Sequence, residues 1–303
     1  MKTPGTEIKS AAILCNAKKE GIDNFLRLLI GILDESSVRW QVENDGAEIL
    51  GIEGFERFSL PKADIVFVLG GDGTMLAASR AVGCKEIPIL GINLGRLGFL
   101  TELDMDEIEE AVPKIIQGNF CVDSRIMLDV QLPGYPSGQC ALNELVIDRG
   151  QSPRFVNLEI FVSGQLVANV AADGIILSTP TGSTAYNMSA GGAIMSPEMP
   201  AFQIITLSPY TLSIRPVIIS ADEEIKISFS CDSQEKPRAS LDGQLGLELP
   251  NRGDAFIKKA EYSAHFVHYH KRSFYSVLHR KLGWALPPGR SIKDPIWNIK
   301  LGE

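Results

Sequence analysis

One carboxylate set among glycines is the feature of this 303-residue chain that points most directly to chemistry. Residues 70–74 read Gly-Gly-Asp-Gly-Thr and follow the apolar run 65–69. Five consecutive apolar residues fit a strand covered on both faces, as in a parallel sheet, and residues 74–82 continue as a helix. Glycines at 70, 71 and 73 permit positive φ and close approach of a ligand to the backbone. Ligands of open α/β sheets bind at such strand ends, beside helix N-termini that favour anions. A carboxylate repels a phosphate, so Asp72 suggests a base or a metal partner rather than a plain phosphate cradle. The bland reading is a capping Asp in a βα turn.

A second segment shifts that balance. Residues 173–187 read Asp-Gly-Ile-Ile-Leu-Ser-Thr-Pro-Thr-Gly-Ser-Thr-Ala-Tyr-Asn. Another carboxylate–glycine pair, Asp173-Gly174, precedes a strand, and a run of small hydroxyl residues follows it. Such a run offers hydroxyls and backbone N–H groups to ribose and phosphate oxygens; a surface loop is the alternative. Two such surroundings suggest a ligand held between domains. Asn143-Glu144 heads the strand 145–147. Gly91, Gly95 and Gly98 allow backbone to approach a ligand or neighbouring elements to pack, with Phe99 placed to flank a flat base. Leu241-Asp242-Gly243-Gln244 reads as a hairpin turn. His265, His268 and His270 invite a metal reading, but no cysteine is near and only His268 and His270 would share a strand face. Arg215 reads as a surface ion-pair partner. Neither a Gly-x-x-x-x-Gly-Lys-Ser/Thr loop nor a Rossmann glycine fingerprint is present, so a nucleotide would be held by a different device.

The elements that must position these residues are of two kinds. Strand patterns at 11–15, 38–42, 65–69 and 87–92 alternate with helical patterns at 22–33 and 104–117, the last kinked or shortened by Pro113. That alternation predicts a parallel α/β domain over residues 1–120. From 121 to 270 the pattern is a mostly antiparallel β domain: strands at 122–132, 141–148, 155–162, 165–172, 174–178, 204–207, 217–219, 225–231 and 255–258. Ser163-Gly164 forms a two-residue hairpin turn. Residues 273–282 are helical, stop at Gly283, and return to the first domain, which residues 271–303 complete; the tail after Trp284 is irregular.

Hydrophobic content of 45% and charged content of 22% describe an ordinary globular chain, and its length suits two domains. A net charge of −8 argues against broad binding to nucleic acid or anionic membrane. Five cysteines, odd in number and widely spaced, read as reduced thiols. With no membrane-length apolar run and no signal-peptide core, the expected location is cytoplasmic.

Taken together, these segments resemble the NAD kinase family. The resemblance rests on Gly-Gly-Asp-Gly-Thr (70–74), Gly-Arg-Leu-Gly-Phe-Leu (95–100), Asn143-Glu144, Ser-Thr-Pro-Thr-Gly-Ser-Thr-Ala-Tyr-Asn (178–187), Leu-Asp-Gly-Gln (241–244) and Arg-Lys-Leu-Gly-Trp (280–284). The first motif also occurs in diacylglycerol, sphingosine and phosphofructokinases; the ten-residue run is far more specific. The resemblance implies transfer of the ATP γ-phosphoryl group to the 2′-hydroxyl of the adenosine ribose of NAD, giving NADP, with a divalent metal, usually magnesium, accompanying ATP. It implies an α/β domain completed by the C-terminal helix, set against a β domain with the site between them. Asp72 takes the family role of general base and Gly73 offers its backbone to the dinucleotide. Asn143 and Glu144 match the pair that holds NAD, and Asp173 the acidic residue near the nicotinamide. Thr184, Ala185, Tyr186 and Ser189, with Asn187 in the same run, match the loop on the adenosine parts, where Tyr186 is available for stacking. Phe99, Arg154 and Gln244 are further carry-overs. Some relatives have a basic side chain where this chain has Ala171, which bears on NAD against NADH. Relatives are commonly dimers or tetramers. The competing readings are a diacylglycerol-type lipid kinase and a non-catalytic NAD(P)-binding sensor.

Overall fold

The computed structural model describes residues 5–95, 98–269 and 273–283. The first part runs β1 (Ser10–Cys15), α1 (Ile22–Glu35), β2 (Arg39–Val42), α2 (Asn44–Leu50), β3 (Ile65–Gly70), α3 (Asp72–Val82), β4 (Ile89–Asn93), β5 (Leu103–Asp104) and α4 (Ile108–Ile116). Strands β2, β1, β3 and β4 lie side by side and parallel. Their alternate residues go to opposite faces. Ile13, Phe67 and Ile92 pack with α1 and α4, whereas Leu14, Val68 and Ile89 pack with α3. A strand buried on both faces needs a continuous apolar run, which is what residues 65–69 supply.

The helix expected over 104–117 is shorter. A 3-10 turn at Met105–Glu107 precedes it, closed by a capping box in which the Glu107 carboxylate accepts the Asp104 N–H. Pro113 then lies inside the nine-residue α4, where it removes one backbone bond.

The second part comprises β6 (Cys121–Gln131), β7 (Gln139–Ala141), β8 (Glu144–Asp148), β9 (Val156–Val162), β10 (Gln165–Ala172), β11 (Gly174–Ser178), α5 (Tyr186–Ser189), β12 (Ala201–Leu207), β13 (Val217–Ser220), β14 (Ile225–Ser230), β15 (Arg238–Leu241), β16 (Leu245–Glu248), β17 (Arg252–His268) and α6 (Phe274–Leu282). Two antiparallel layers enclose its core. One is a six-stranded sheet in the order β13-β12-β11-β8-β15-β16. The other holds β10, β9, β14, β17, β6 and β7. Leu145, Ile175 and Leu241 of the first layer meet Val130, Leu158 and Ile257 of the second.

The 17-residue β17 was anticipated only over 255–258. It pairs antiparallel with β14 and β6, and at Phe266 it runs parallel to Ile89 of β4. One sheet therefore passes through both halves of the molecule. The Ser163-Gly164 turn has positive φ at both residues, 46° and 78°, as a tight hairpin requires. The run 141–148 is split: β7 belongs to the large sheet and β8 to the small one, so the chain changes sheets at Leu142-Asn143.

Candidate active site

Asp72 is the first residue of α3, immediately beyond the buried end of β3. None of Gly70, Gly71 and Gly73 has positive φ, contrary to the expectation from sequence; Gly71 is extended at φ −124°. Close approach demands one of these glycines. A Cβ on Gly70 would overlap the Thr74 side chain, whereas one on Gly73 would make only ordinary contact with the Gln244 amide at 3.6 Å. The Asp72 carboxylate accepts from the Leu100 N–H on Oδ1 and from the Phe99 N–H on Oδ2, each at 3.0 Å. Lys281 of α6 donates to Oδ2 at 2.9 Å. Gly98 is required by this packing, since a Cβ there would strike Asp72; Gly91 is held likewise against Met75. The run around Gly98 thus positions the carboxylate itself, with Phe99 half-buried beside it.

From Asp72 a chain of polar contacts crosses into the β part. Gln244 donates to the Gly73 carbonyl at 2.6 Å, and Arg80, two turns along α3, donates to Gln244 and to Asp242. Asp242 is the pivot. Its carboxylate accepts the N–H groups of Asn143 at 2.7 Å and Leu142 at 3.2 Å, where the chain changes sheets and ladder partners run out. Burial raises the Asp242 carboxyl above its usual range, while those two N–H groups and Arg80 oppose the rise. The Leu-Asp-Gly-Gln motif is therefore both a hairpin turn, with φ of 53° at Asp242 and 63° at Gly243, and the strut between the two halves.

Glu144 lies next along this path. It is buried, and burial, followed by the negative charge of Asp242, raises its carboxyl to about 7, against the pull of the Tyr186 backbone N–H. Its Oε2 has no hydrogen-bond partner among the described residues. A buried acceptor without a partner is costly and marks a place where a ligand donor would fit.

The hydroxyl run folds differently from the sequence expectation. Ser178, Thr179 and Ser183 are fully buried and staple the loop instead of facing outward. Thr179 donates to the Leu142 carbonyl at 2.5 Å and Ser183 to the Pro180 carbonyl at 2.6 Å. Gly182 lies so close to the Asn143 backbone that a Cβ would overlap it. Asn187 is also fully buried. Its amide donates to the carbonyls of Ser183 and Ala193 and to the Gln203 side chain at 2.9 Å, so it clamps the loop, while its Oδ1 has no hydrogen-bond partner among the described residues. Thr184, Ala185, Tyr186 and Ser189 keep accessible surface, and Tyr186 is exposed.

Asp173 and Arg154 are not brought to Asp72. Asp173 precedes β11 at the end opposite Ser178, which pairs with Glu144; five strand residues separate the ends by roughly 16 Å. There Asp173 pairs with Arg149 at 2.7 Å, and Arg154 is exposed and donates to the Asp232 carbonyl. The histidines serve structure. His265 bonds Ser124, and His268 lies between Glu102 at 2.8 Å and Asp123 at 3.5 Å; His270 falls outside the described residues. Among the described residues no group of three His, Cys, Asp or Glu side chains is arranged to hold a metal. Beside the Asp72 turn, at the C-terminal ends of β1 and β3, opens a cavity of about 710 Å³ whose lining includes Lys18, Lys19 and Arg57, the carboxylates Asp45 and Glu48, and Gly71, Gly73 and Gln244. Sequence reasoning passed over Arg80, Asp242 and Lys281; the last two lie in motifs that were visible, while Arg80 had no local signal.

The ATP-NAD kinase N-terminal domain model matches residues 12–120 and the C-terminal domain model residues 142–269. An NAD kinase of Pseudomonas entomophila (strain L48) is 39% identical over 267 residues, covering 86% of this chain and 90% of that protein. An NAD kinase of Carboxydothermus hydrogenoformans is 43% identical over 224 residues, 73% of this chain and 80% of the relative. Among solved structures, yeast NADH kinase complexed with NADH superposes with a TM-score of 0.83 at 25% identity, covering 93% of this chain and 89% of that one. An Archaeoglobus fulgidus NAD kinase in complex with ATP gives 0.69 at 26% identity, covering 89% and 98%. With both domain models matched in order along one chain, and with relatives near 40% identity over most of it, the chain belongs to the ATP-NAD kinase family.

Proposed function

We propose that this chain transfers the γ-phosphoryl group of ATP to the 2′-hydroxyl of the adenosine ribose of NAD, giving NADP, with Asp72 as the base. The observation that carries this reading is a carboxylate fixed by two backbone N–H groups, joined from the neighbouring Gly73 carbonyl through Gln244, Arg80 and Asp242 to the backbone beside Glu144, whose buried carboxylate oxygen has no partner among the described residues. A secondary hydroxyl is a weak nucleophile, and a carboxylate within hydrogen-bond reach accepts its proton as the phosphoryl group arrives. Glu144 and Asn143 offer acceptors to ribose hydroxyls, and the exposed Tyr186 ring offers a stacking face to a base.

The triphosphate is assigned to the cavity beside the turn, where Lys18 and Lys19 supply positive charge and the N-terminus of α3 faces the anion. The donor set fits a magnesium ion carried by the triphosphate rather than one caged by the protein, since magnesium is held by one or two carboxylates plus phosphate oxygens. When bound, that ion would neutralise phosphate charge; the carboxylates that line this cavity are Asp45 and Glu48. Asp173 and Arg154 lie away from Asp72, and we assign the chain to a homodimer or homotetramer. No described helix is long and apolar enough to cross a membrane, and we place the reaction in the cytoplasm.

The test is an assay of the purified chain with magnesium, offering NAD, NADH and diacylglycerol in parallel with ATP. NADP formation is the expected result; phosphorylated lipid without NADP, or dinucleotide binding without any product, would overturn the reading.

A further inference from the structure

The Arg-Lys-Leu-Gly-Trp motif at 280–284 has no role in the reaction as described so far, yet it places an ammonium on the proposed base. Lys281 Nζ lies 2.9 Å from Asp72 Oδ2 and 4.3 Å from the centre of the Phe99 ring. The two residues are 209 positions apart. A basic side chain in the last turn of a helix has a bland explanation in the helix dipole, and His279, Arg280 and Lys281 all answer to it. The dipole does not call for contact with Asp72, and an exposed ion pair adds little to stability. Nor is α6 deeply seated: Leu278 is its buried residue.

Hydrogen-bond capacity shows what the contact is suited to. A carboxylate has about four lone-pair positions, and an ammonium three donors. Asp72 gives one position each to Phe99, Leu100 and Lys281, which leaves one for a hydroxyl. Lys281 spends one donor on Asp72 and rests against an aromatic face, which leaves two. Both side chains keep about a third of their surface, 29% and 32%, so both are open to an incoming group. Phosphoryl transfer is catalysed mainly by cations placed where charge spreads over the moving group's oxygens. Arg80, a further cation at this junction, is committed to Asp242 and Gln244.

We infer that Lys281 is a catalytic residue that bridges Asp72 and the transferring phosphoryl group, holding the base with one N–H and the phosphoryl oxygens with the others. The inference rests on Asp72 being the base. In the step, the ribose oxygen forms a new bond to the γ-phosphorus. The bond from that phosphorus to the β,γ-bridging oxygen breaks, its electron pair leaving on ADP. The hydroxyl proton passes to the free lone pair of Asp72 and then to solvent. Lys281 stays protonated throughout and changes only how its hydrogen bonds are shared.

The test compares Lys281→Met, Lys281→Arg, Leu278→Ala and Asp72→Asn in the full chain, reading kcat, KM for NAD and thermal midpoint. Lys281→Met keeps the stem on Phe99, and its kcat is expected to fall about 100-fold, with KM for NAD within about threefold and the midpoint unchanged. Lys281→Arg is expected to recover a large part of that loss. Wild-type kcat in Lys281→Met beside an inactive Asp72→Asn would overturn the inference and leave the base standing, whereas an active Asp72→Asn would overturn the base as well. A Lys281→Met that copies Leu278→Ala, with a lowered midpoint and raised KM, would show that the lysine only docks the helix. Should Lys281→Met not fold, Lys281→Gln against Lys281→Arg decides: a dead Gln and an active Arg support the role, and equal turnover overturns it.

Discussion

Glu144 and Asp242 are neighbouring buried carboxylates in opposite circumstances. Asp242 spends its oxygens on two backbone N–H groups and Arg80. Glu144 keeps one oxygen without a partner, and its carboxyl is raised to about 7 by burial first and by Asp242 second. A folded-state value above the ordinary one means the charged form is disfavoured. The cost is absent below the ordinary value of 4.5, grows as pH rises from there, and is complete above about 7. Glu144→Gln is therefore expected to raise unfolding stability at pH 8 by about 1–3 kcal/mol, measured by urea titration. The same variant is expected to weaken NAD binding at least about tenfold by calorimetry, since a ribose hydroxyl would lose its charged acceptor. Stability gained where binding is lost is the pattern of a functional group held at a structural cost.

Elements in this chain were legible where the signal is local. The doubly buried β3, the Ser163-Gly164 turn and α6, with Ser273 accepting the Ser276 N–H and Gly283 at φ 61°, follow from runs and caps of a few residues. Strand β17 was legible only in part, because its register slips between Lys259 and Ser263 and breaks the alternation a single strand should show. The hydroxyl run was recognised as unusual, but its inward turn depends on the carbonyls of Leu142 and Pro180 and on the amide of Met195. Contacts between distant elements left no local trace. His268 on β17 joins Glu102 beside β5 to Asp123 on β6. Burial opposes its charge, but Asp123 and Glu102 outweigh it and raise the imidazole to about 9. The stability this adds is complete below about pH 6.5 and lost as pH rises through about 9. After allowance for partial exposure it amounts to about 1–2 kcal/mol. Wild type should exceed His268→Gln by that amount at pH 6 and match it at pH 10 in urea unfolding; a gap independent of pH would mean packing, not charge.

At the scale of the whole molecule, one sheet carries a parallel half and an antiparallel half, and β17 is the strand they share. Asp72 stands at the start of α3 in the first half, Glu144 at the start of β8 in the second, and α6 closes back onto Asp72 through Lys281. Under the proposed function, the glycine-flanked carboxylate takes the proton of the acceptor hydroxyl, and the cavity beside its turn, lined by Lys18 and Lys19 as well as Asp45 and Glu48, receives the donor. The most direct measurement is turnover of Asp72→Asn beside its affinity for NAD. The account predicts a kcat lowered about 1,000-fold with NAD affinity kept within a few-fold, because the amide preserves shape but accepts no proton. Turnover near that of the wild type would contradict it.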